Sequence, residues 1–427
     1  MRSAVLRRFR IGSRKNKKNR MSSEKTFGGA QKAEPRRPPS QRFPDGYPTL
    51  CASMVYFALF AQAGLNQPFL PLWLTSRGLN ETQIAAVISA PLLLRIMVAP
   101  AIGMIADRTG DRALIMRCLA AGVFLLALCL SQAGGFWTIL LLATSMMLLS
   151  QAIPPVVDAS VISLIRGGKA RDFGRMRLWG SGGFAAATIL GGFILAWGGV
   201  DAVFAAFVCA ILLQIAASFI LPGGAARAKE RSETRLDLHK RPALIVVFLV
   251  AALTLTSHAT FNSFGSLHFR RLGFPESAIG LLWATATLSE VAMFWAGPFL
   301  SRRLSAFGVL VLAASVAVAR WSLMSLDAGL PATVLLQMLH AATFSGSYIG
   351  LMRFMAQVGD HVGARAQSAF ATIFGLMTAL TTLAMGPIYS EIGARGFLVT
   401  ALLPALALLL LFGFRRRLRL AEAGEAA

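Results

Sequence analysis

Two ionisable side chains lie in the middle of apolar stretches of the sequence. Arg95 stands within residues 82–106, and Glu290 stands within residues 277–300. An ion at mid-membrane depth costs at least about 2.5–3.5 kcal/mol unless it is paired or hydrated. The guanidinium of Arg95 suits a carboxylate held through two hydrogen bonds, and the carboxyl of Glu290 suits uptake and release of a proton. The alternative is a permanent ion pair between the two that fixes helix packing.

Further polar side chains occur in the same kind of apolar stretch. Imidazoles and amides at membrane depth are suited to substrate binding or proton relay. The predicted substrate-binding residues are Arg95, Asn66, Gln67, His258, Asn262, Gln337 and His340. The predicted proton-coupling residues are Glu290 and His340. The alternative for each histidine is a packing residue that is simply hydrogen-bonded, and Arg320 is expected to extend toward the membrane surface by snorkelling.

The composition places these residues in a membrane protein. Of 427 residues, 56% are hydrophobic and 14% are charged, whereas soluble domains carry roughly 25% charged residues. Charge-free runs cover residues 49–76, 118–157 and 178–200, and each is long enough to cross a bilayer. This excludes a soluble enzyme. It also excludes a nucleic-acid-binding protein, whose basic residues would cover water-facing surface.

The sequence also lacks the motifs of cofactor and metal chemistry. It contains no phosphate-cradling loop and no zinc-protease motif. The four cysteines lie in apolar segments without metal-ligand spacing. We therefore expect no cofactor and no metal.

Apolar windows and the residues that interrupt them predict twelve transmembrane helices. They lie near residues 49–74, 82–106, 113–132, 136–164, 178–197, 202–221, 243–268, 277–300, 305–326, 330–356, 367–388 and 397–414. The predicted organisation is a basic disordered tail (1–48), a six-helix bundle (49–221), a charged central loop (222–242), a second six-helix bundle (243–414) and a C-terminal tail (415–427). Met21 is an alternative start of the chain.

The two bundles repeat each other at a constant offset of 195 residues. The offset aligns Gly78–Ile84 with Gly273–Ile279, and it pairs Arg95 with Glu290. Parallel repeats of this kind are related by an axis along the membrane normal. The sequence therefore predicts two pseudo-symmetric halves, with a cation in one and an acid in the other at equivalent depth.

Basic residues set the predicted orientation. If the N-terminus is cytoplasmic, 36 of the 42 lysines and arginines fall on the cytoplasmic side. Only Arg77, Arg270, Arg271 and Arg395 fall on the other side. Because cytoplasmic segments of membrane proteins are enriched in Lys and Arg, both termini are predicted to be cytoplasmic.

The segment Gly103–Arg112 reads Gly-Met-Ile-Ala-Asp-Arg-Thr-Gly-Asp-Arg. It resembles the loop signature of the major facilitator superfamily, with Asp111 in place of a usual basic residue. The resemblance implies an all-α fold of two six-helix bundles, in which Asp107 caps the eleventh helix and locks the cytoplasmic side shut. Gly103 would permit close helix contact and Gly110 a tight turn. The alternative is an ordinary basic cytoplasmic turn.

A second acid extends this predicted gate. Asp158 lies near the inner end of the fourth helix, and the offset pairs it with Arg353. Its depth favours a cytoplasmic network with Arg108 or Arg112 over contact with substrate. The predicted gating residues are Gly103, Asp107, Arg108, Gly110, Arg112, Asp158 and Arg353.

A narrower resemblance starts at the entry to the fifth helix, Asp172–Ser181. With Glu290-Val291, Arg320-Trp321 and Leu339-His340, it is similar to the phenylpropionate permease branch of the superfamily. This implies a proton-coupled importer of a small organic carboxylate, for which membrane aromatics offer an apolar surface. The alternative explanation of that entry segment is helix packing by the small residues Gly180 and Ser181, with Trp179 at the membrane interface.

We therefore expect a secondary transporter that works by alternating access, as a monomer in the inner membrane. Its partners would be a small-molecule substrate, protons and the lipid bilayer, without nucleic acid. An efflux pump for amphipathic compounds and a sugar or nucleoside proton symporter remain alternatives within transport. A membrane sensor that does not transport is the alternative from another class.

Overall fold

The fold is all-helical over the part of the chain that the computed structural model describes: residues 46–109, 111–170, 172–221, 241–358 and 363–422. Inside a bilayer each backbone N–H and C=O needs a partner within the chain, which long apolar helices supply. The helices are α1 (Tyr47–Ser76), α2 (Glu81–Thr109), α3 (Arg112–Ser131), α4 (Phe136–Arg166), α5 (Phe173–Ile220), α6 (Pro242–Thr256), α7 (Ala259–Arg271), α8 (Glu276–Arg303), α9 (Ala306–Met324), α10 (Leu330–Met338), α11 (Gly346–Val358), α12 (Gly363–Ile392), α13 (Gly396–Gly413) and α14 (Arg415–Glu422).

Local sequence signals set several helix ends. The carboxylate of Asp111 accepts the N–H of Leu114 at 2.9 Å and caps α3. The hydroxyl of Ser305 accepts the N–H of Gly308 at 3.1 Å and caps α9. Both side chains satisfy a donor that has no partner inside its own helix.

Within the described ranges, nine helical stretches are long and apolar enough to cross a membrane. Two of them, α5 and Arg365–Gly413, each cover two of the predicted spans. The predicted span 330–356 is not among the nine because a π-helical turn, Ala341–Ser345, separates α10 from α11. The helical membrane fold is confirmed, and the count of twelve spans stays a prediction.

The long helix α5 is two helices joined at a kink. Gly199, between the predicted spans 178–197 and 202–221, has a φ of 72°. This left-handed conformation suits glycine, which has no Cβ to clash with the backbone. The predicted domain boundaries stay untested, since the tail and the central loop lie almost wholly outside the described residues.

The two halves meet at a pair of seams, one between α5 and α8 and one between α2 and α12. At the first seam, a Cβ atom on Gly280 would overlap the carbonyl oxygen of Thr188. At the second, a Cβ atom on Gly386 would lie 2.6 Å from the Cβ of Ala85. The offset of 195 pairs Ala85 with Gly280, so the seams are pseudo-equivalent. Both depend on residues small enough for backbones to touch.

Candidate substrate cavity

A cavity of about 980 Å³ lies between the halves. Its walls come from α1, α5, α7, α8 and the turn between α10 and α11. The chemistry-bearing residues on its walls are Gln67, Asp172, Arg175, Arg177, Ser181, Asn262, Thr287, Glu290 and His340. Eight aromatic side chains complete it: Phe60, Phe173, Phe184, Phe261, Trp283, Phe294, Trp295 and Phe344. A cavity of this size, mostly apolar with a few polar groups, fits a small organic solute.

The cavity reaches solvent at the face where α5 begins, which is the predicted cytoplasmic face. Asp172 and Arg175 line it there, with side chains 53% and 85% exposed. Both seams lie toward the opposite face, where α2 and α8 begin. The cavity is therefore open at one face and narrowed at the other.

An amide pair on the cavity wall joins α1 to α7. Gln67 donates through Nε2 to Oδ1 of Asn262 at 3.4 Å. These residues are 195 positions apart, so each is the repeat equivalent of the other. Two equivalent groups can touch only at the axis that relates them, as in a two-fold interface. The pair therefore marks the pseudo-symmetry axis.

Glu290 and His340 form a hydrogen-bonded pair at the cavity wall. Oε1 of Glu290 lies 2.7 Å from Nε2 of His340, and their side chains are 23% and 10% exposed. Sequence reasoning selected both residues, and the fold brings them together from α8 and the turn after α10. The carboxyl is thus reachable from the cavity and held by a neighbour.

Behind His340 lies a buried arginine. Nη1 of Arg320 is 3.0 Å from Nδ1 of His340, and Nη2 donates to Oε1 of Gln337 at 2.8 Å. Arg320 is 0% exposed. The prediction that Arg320 snorkels toward the surface is wrong, because polar groups of the bundle and the ring of Trp321, 4.3 Å away, solvate the guanidinium inside the protein.

Donor and acceptor capacity fixes the proton on His340. A guanidinium only donates, so Nδ1 of His340 must accept from Arg320. The imidazole is then neutral, with its hydrogen on Nε2, and that N–H donates to Glu290. In this arrangement Glu290 is the group of the pair that is free to gain a proton.

His258 and Gln337 stand behind the wall rather than on it. Nε2 of His258 lies 2.9 Å from Oγ1 of Thr343, and Nδ1 lies 3.1 Å from the carbonyl oxygen of Leu255. Gln337 is 0% exposed and serves Arg320. Asn66 lines a separate small cleft beside Trp73. Of the predicted substrate-binding residues, Gln67, Asn262 and His340 lie on the cavity wall.

Arg95 and Glu290 have different partners. Nη1 of Arg95 donates to Oε1 of Gln151 on α4 at 3.3 Å. Among the described residues no ion pair joins Arg95 to Glu290, and Arg95 is not on the cavity wall. The permanent ion pair is therefore not present, and substrate binding by Arg95 stays a prediction.

The predicted gating residues that the structure describes lie toward the face where the cavity opens. Asp158 accepts a hydrogen bond from Oη of Tyr56 at 2.6 Å. Arg112 donates to the carbonyl of Ala159 at 3.4 Å, and Arg353 donates to the carbonyl of Leu304 at 2.7 Å. The gating role of these residues remains a prediction.

The loop segment itself is only partly described. A Cβ atom on Gly103 would meet nothing within 4 Å among the described residues, so the predicted close contact is absent from this open face. Arg108 is exposed. The side chain of Asp107 and all of Gly110 lie outside the described residues.

Sequence reasoning missed Arg177, which it treated only as a cytoplasmic basic residue. Its guanidinium lies 4.1 Å from the ring centroid of Phe60 and 5.5 Å from that of Tyr56. It lines the cavity together with Ser181 and Phe184. The spacing of four and then three residues was the available signal, because it places all three on one face of a helix.

No cofactor site emerges from this geometry. Among the residues described, no group of three His, Cys, Asp or Glu side chains is placed to hold a metal ion.

Two pseudo-symmetric helical halves around a cavity open at one face define a membrane transporter of the major facilitator type. The family model described as MFS_1 like family matches residues 50–399. The chain belongs to this family.

Relatives support both the family and the narrower resemblance. The chain is 27% identical over 366 residues to a probable 3-phenylpropionic acid transporter of Escherichia coli (strain K12), covering 83% of this chain and 95% of that one. It is 28% identical over 277 residues to a maltose permease of Geobacillus stearothermophilus, covering 63% and 68%. The resemblance to the phenylpropionate permease branch is confirmed.

Solved structures show the same fold. The nucleoside transporter NupG aligns with a TM-score of 0.71 and 16% identity, covering 86% of this chain and 98% of that one. A bacterial homologue of the human lysosomal transporter Spinster, inward-facing and unoccupied, aligns with a TM-score of 0.69 and 14% identity, covering 90% and 98%. The protein is a multi-pass membrane transporter and not an enzyme.

The seams generate a prediction about the closed face. A Gly280→Trp substitution removes the close approach of α5 and α8, so the cavity should open toward the face where α2 and α8 begin. A Gln67→Cys reporter, in a chain whose four cysteines are replaced by serine, should then react several-fold faster with an impermeant maleimide from that face. Gly182→Trp is the control, because a Cβ atom on Gly182 meets nothing within 4 Å. Equal reactivity in both variants would contradict the assignment.

The buried arginine generates a prediction about stability. Arg320→Gln should lower the free energy of unfolding by about 3–5 kcal/mol, since it removes one partner from a buried charge network. Arg95→Gln, at a half-buried arginine with one amide partner, should cost roughly 1 kcal/mol. Thermal or denaturant unfolding in detergent measures both. Adding Glu290→Gln to Arg320→Gln should recover part of the loss, and strictly additive losses would argue against coupling.

Proposed function

We propose that this transporter imports a small aromatic carboxylate together with protons, by alternating access. The observation that carries the proposal is the chain of contacts from the cavity through Glu290 and His340 to Arg320. It joins an acid that reaches the cavity to a cation sealed behind it. The acid can carry the proton, and the positive charge of Arg320 can attract an anionic solute.

Glu290 is the proposed proton carrier. Its Oε1 accepts a hydrogen bond from Nε2 of His340. The other ring nitrogen of His340, Nδ1, accepts a hydrogen bond from Arg320. When Glu290 is ionised, its charge balances Arg320 across the imidazole. When Glu290 gains a proton, the cluster carries one uncompensated positive charge, which attracts an anion into the cavity.

Arg177 is the proposed anchor for the substrate carboxylate. It is on the cavity wall, whereas Arg95 is not, and no described carboxylate lies within ion-pair distance of it. Stacking on Phe60 holds the guanidinium plane, so its N–H edge remains available for a bidentate carboxylate. The aromatic walls supply the apolar surface for a ring. The E. coli relative, named a probable 3-phenylpropionic acid transporter, supports this substrate class.

The asymmetry of the two faces supports alternating access. The cavity is open where α5 begins and narrowed by the two glycine seams at the opposite face. Separation of the seams with closure of the open face would expose the same cavity to the other side. We also propose that the protein is a monomer of the inner membrane. Its termini would be cytoplasmic, because basic residues mark the open face.

Proton-coupled uptake of a sugar or nucleoside is the second candidate. The amides of Gln67 and Asn262 on the cavity wall can bind hydroxyl groups, and one relative is a maltose permease. Uptake of a panel of labelled aromatic carboxylates, disaccharides and nucleosides into vesicles, with and without a protonophore, decides between the two. Accumulation of sugars or nucleosides alone would overturn the carboxylate assignment.

The proton role predicts a separation of two activities. Glu290→Gln should abolish pH-gradient-driven accumulation in vesicles, because the amide cannot carry a proton. Exchange of labelled for unlabelled substrate at equilibrium should persist. Glu276→Gln is the matched control, since Glu276 pairs with Arg270 at the end of α7 away from the cavity. Accumulation by Glu290→Gln at the unsubstituted rate would refute the role of Glu290.

The anchor role predicts a change in affinity. A charge-assisted hydrogen bond contributes about 1.5–3 kcal/mol, so Arg177→Gln should raise the KM for the carboxylate roughly 10- to 100-fold. Arg177→Lys should restore part of the affinity lost in Arg177→Gln. An uncharged amide analogue of the substrate, which should bind more weakly than the carboxylate to the unsubstituted protein, should bind as well as the carboxylate to Arg177→Gln. Arg175→Gln at the exposed mouth and Arg95→Gln serve as comparisons. A larger KM increase in Arg95→Gln would return the anchor role to Arg95.

A further inference from the structure

The last helix, α14, is fixed to the second half of the protein by its apolar face and by its end. Leu418 and Ala421 are 1% and 8% exposed and belong to the core of that half. The backbone N–H groups of Ala306 and Phe307, at the start of α9, donate to the two carboxylate oxygens of Glu422. The orientation of α14 is therefore set by contacts at two places.

The opposite side of α14 carries a dense positive charge. Arg415, Arg416, Arg417 and Arg419 are all exposed. Glu422 is the one acid of α14, and its oxygens are occupied at α9. No described carboxylate lies within ion-pair distance of these four arginines. The guanidinium of Arg419 lies 5.2 Å from the ring centroid of Phe307. The charges of Arg415, Arg416 and Arg417 are therefore not balanced by any described carboxylate and are open to an anionic partner.

The position of α14 identifies the partner. The membrane-spanning helix α13 ends at Gly413, and α14 begins at Arg415. The residues at the junction, Phe412 and Phe414, are 53% and 39% exposed, as expected of side chains covered by lipid. The arginines therefore stand at the level where a bilayer presents its headgroups.

A second basic pair lies beside α14. Arg302 and Arg303 end α8 and are exposed, only a few residues before the α9 start that Glu422 caps. The contact of Glu422 with the start of α9 thus brings the end of α14 near a second pair of arginines in the sequence. Guanidinium groups hold phosphate oxygens through paired hydrogen bonds.

We propose that α14 is a docked anionic-lipid-binding surface, which holds the phosphate groups of acidic phospholipids at the membrane face. Because Leu418, Ala421 and Glu422 fix the helix, bound lipid also holds α14 against the start of α9. The surface is distinct from the substrate cavity, and its role does not depend on which solute is carried.

Lipid binding by the full-length protein tests this proposal. Phosphatidylglycerol and phosphatidylcholine are titrated onto the purified protein in detergent, and retained lipid is measured by native mass spectrometry. The unsubstituted chain should retain phosphatidylglycerol preferentially. Arg416→Gln/Arg417→Gln should weaken its binding roughly 30-fold, given the attraction of each arginine to an anionic surface. Arg416→Lys/Arg417→Lys should keep most of it, which separates charge from misfolding.

The matched control removes two exposed basic residues elsewhere on the same predicted face, at the end of α4. Arg166→Gln/Lys169→Gln should leave lipid retention unchanged. An equal loss in this control would show a general effect of net charge and overturn the proposal. So would the absence of any preference for phosphatidylglycerol, or its displacement by millimolar inorganic phosphate, which would indicate a site for free anions.

Discussion

The free-energy cost of burying a charge inside a bilayer determines the contacts at the centre of this protein. Arg320 is fully buried and cannot lose its charge, so the fold must supply a balancing group. It does so through His340, whose two ring nitrogens join Arg320 to Glu290. The imidazole holds the acid at the cavity and keeps the cation away from it. A change in the charge of Glu290 therefore changes the electrostatic energy of the buried Arg320.

Pseudo-symmetry explains the helical frame around this cluster. Gln67 and Asn262 meet on the axis, and Ala85 and Gly280 close equivalent seams. The charged positions break the repeat. Arg95 in the first half contacts a neutral amide, while its counterpart Glu290 contacts a titratable imidazole. The seams are thus shared by the two halves, whereas the contact between an acid and an imidazole belongs to the second half alone.

The sequence predicted the features that are set by the order of residues along the chain. Apolar length, basic bias and the 195-residue offset indicated a helical transporter with two repeats, and they selected Glu290 and His340. Spatial partners were not accessible in this way. The contact between Glu290 and His340 depends on the rotation of two helices, and Arg320 looked superficial because its depth was judged from its distance to the end of α9. Arg177 was assigned to solvent because the cavity that admits water beside it is a property of the assembled halves.

The two halves also differ in which residue supplies a carboxylate to the N-terminus of an equivalent helix, α3 in the first half and α9 in the second. In the first half, Asp111 caps α3 from the loop that resembles the superfamily signature. The offset places Ala306 at that position in the second half, where the loop carries no acid and Arg302 stands opposite Asp107. The carboxylate at the start of α9 comes from Glu422 instead, nine residues beyond the end of α13. The second loop itself supplies the hydroxyl of Ser305 to α9, and the helix that follows the last span adds the carboxylate. This contact ties α14 to the face at which the cavity opens.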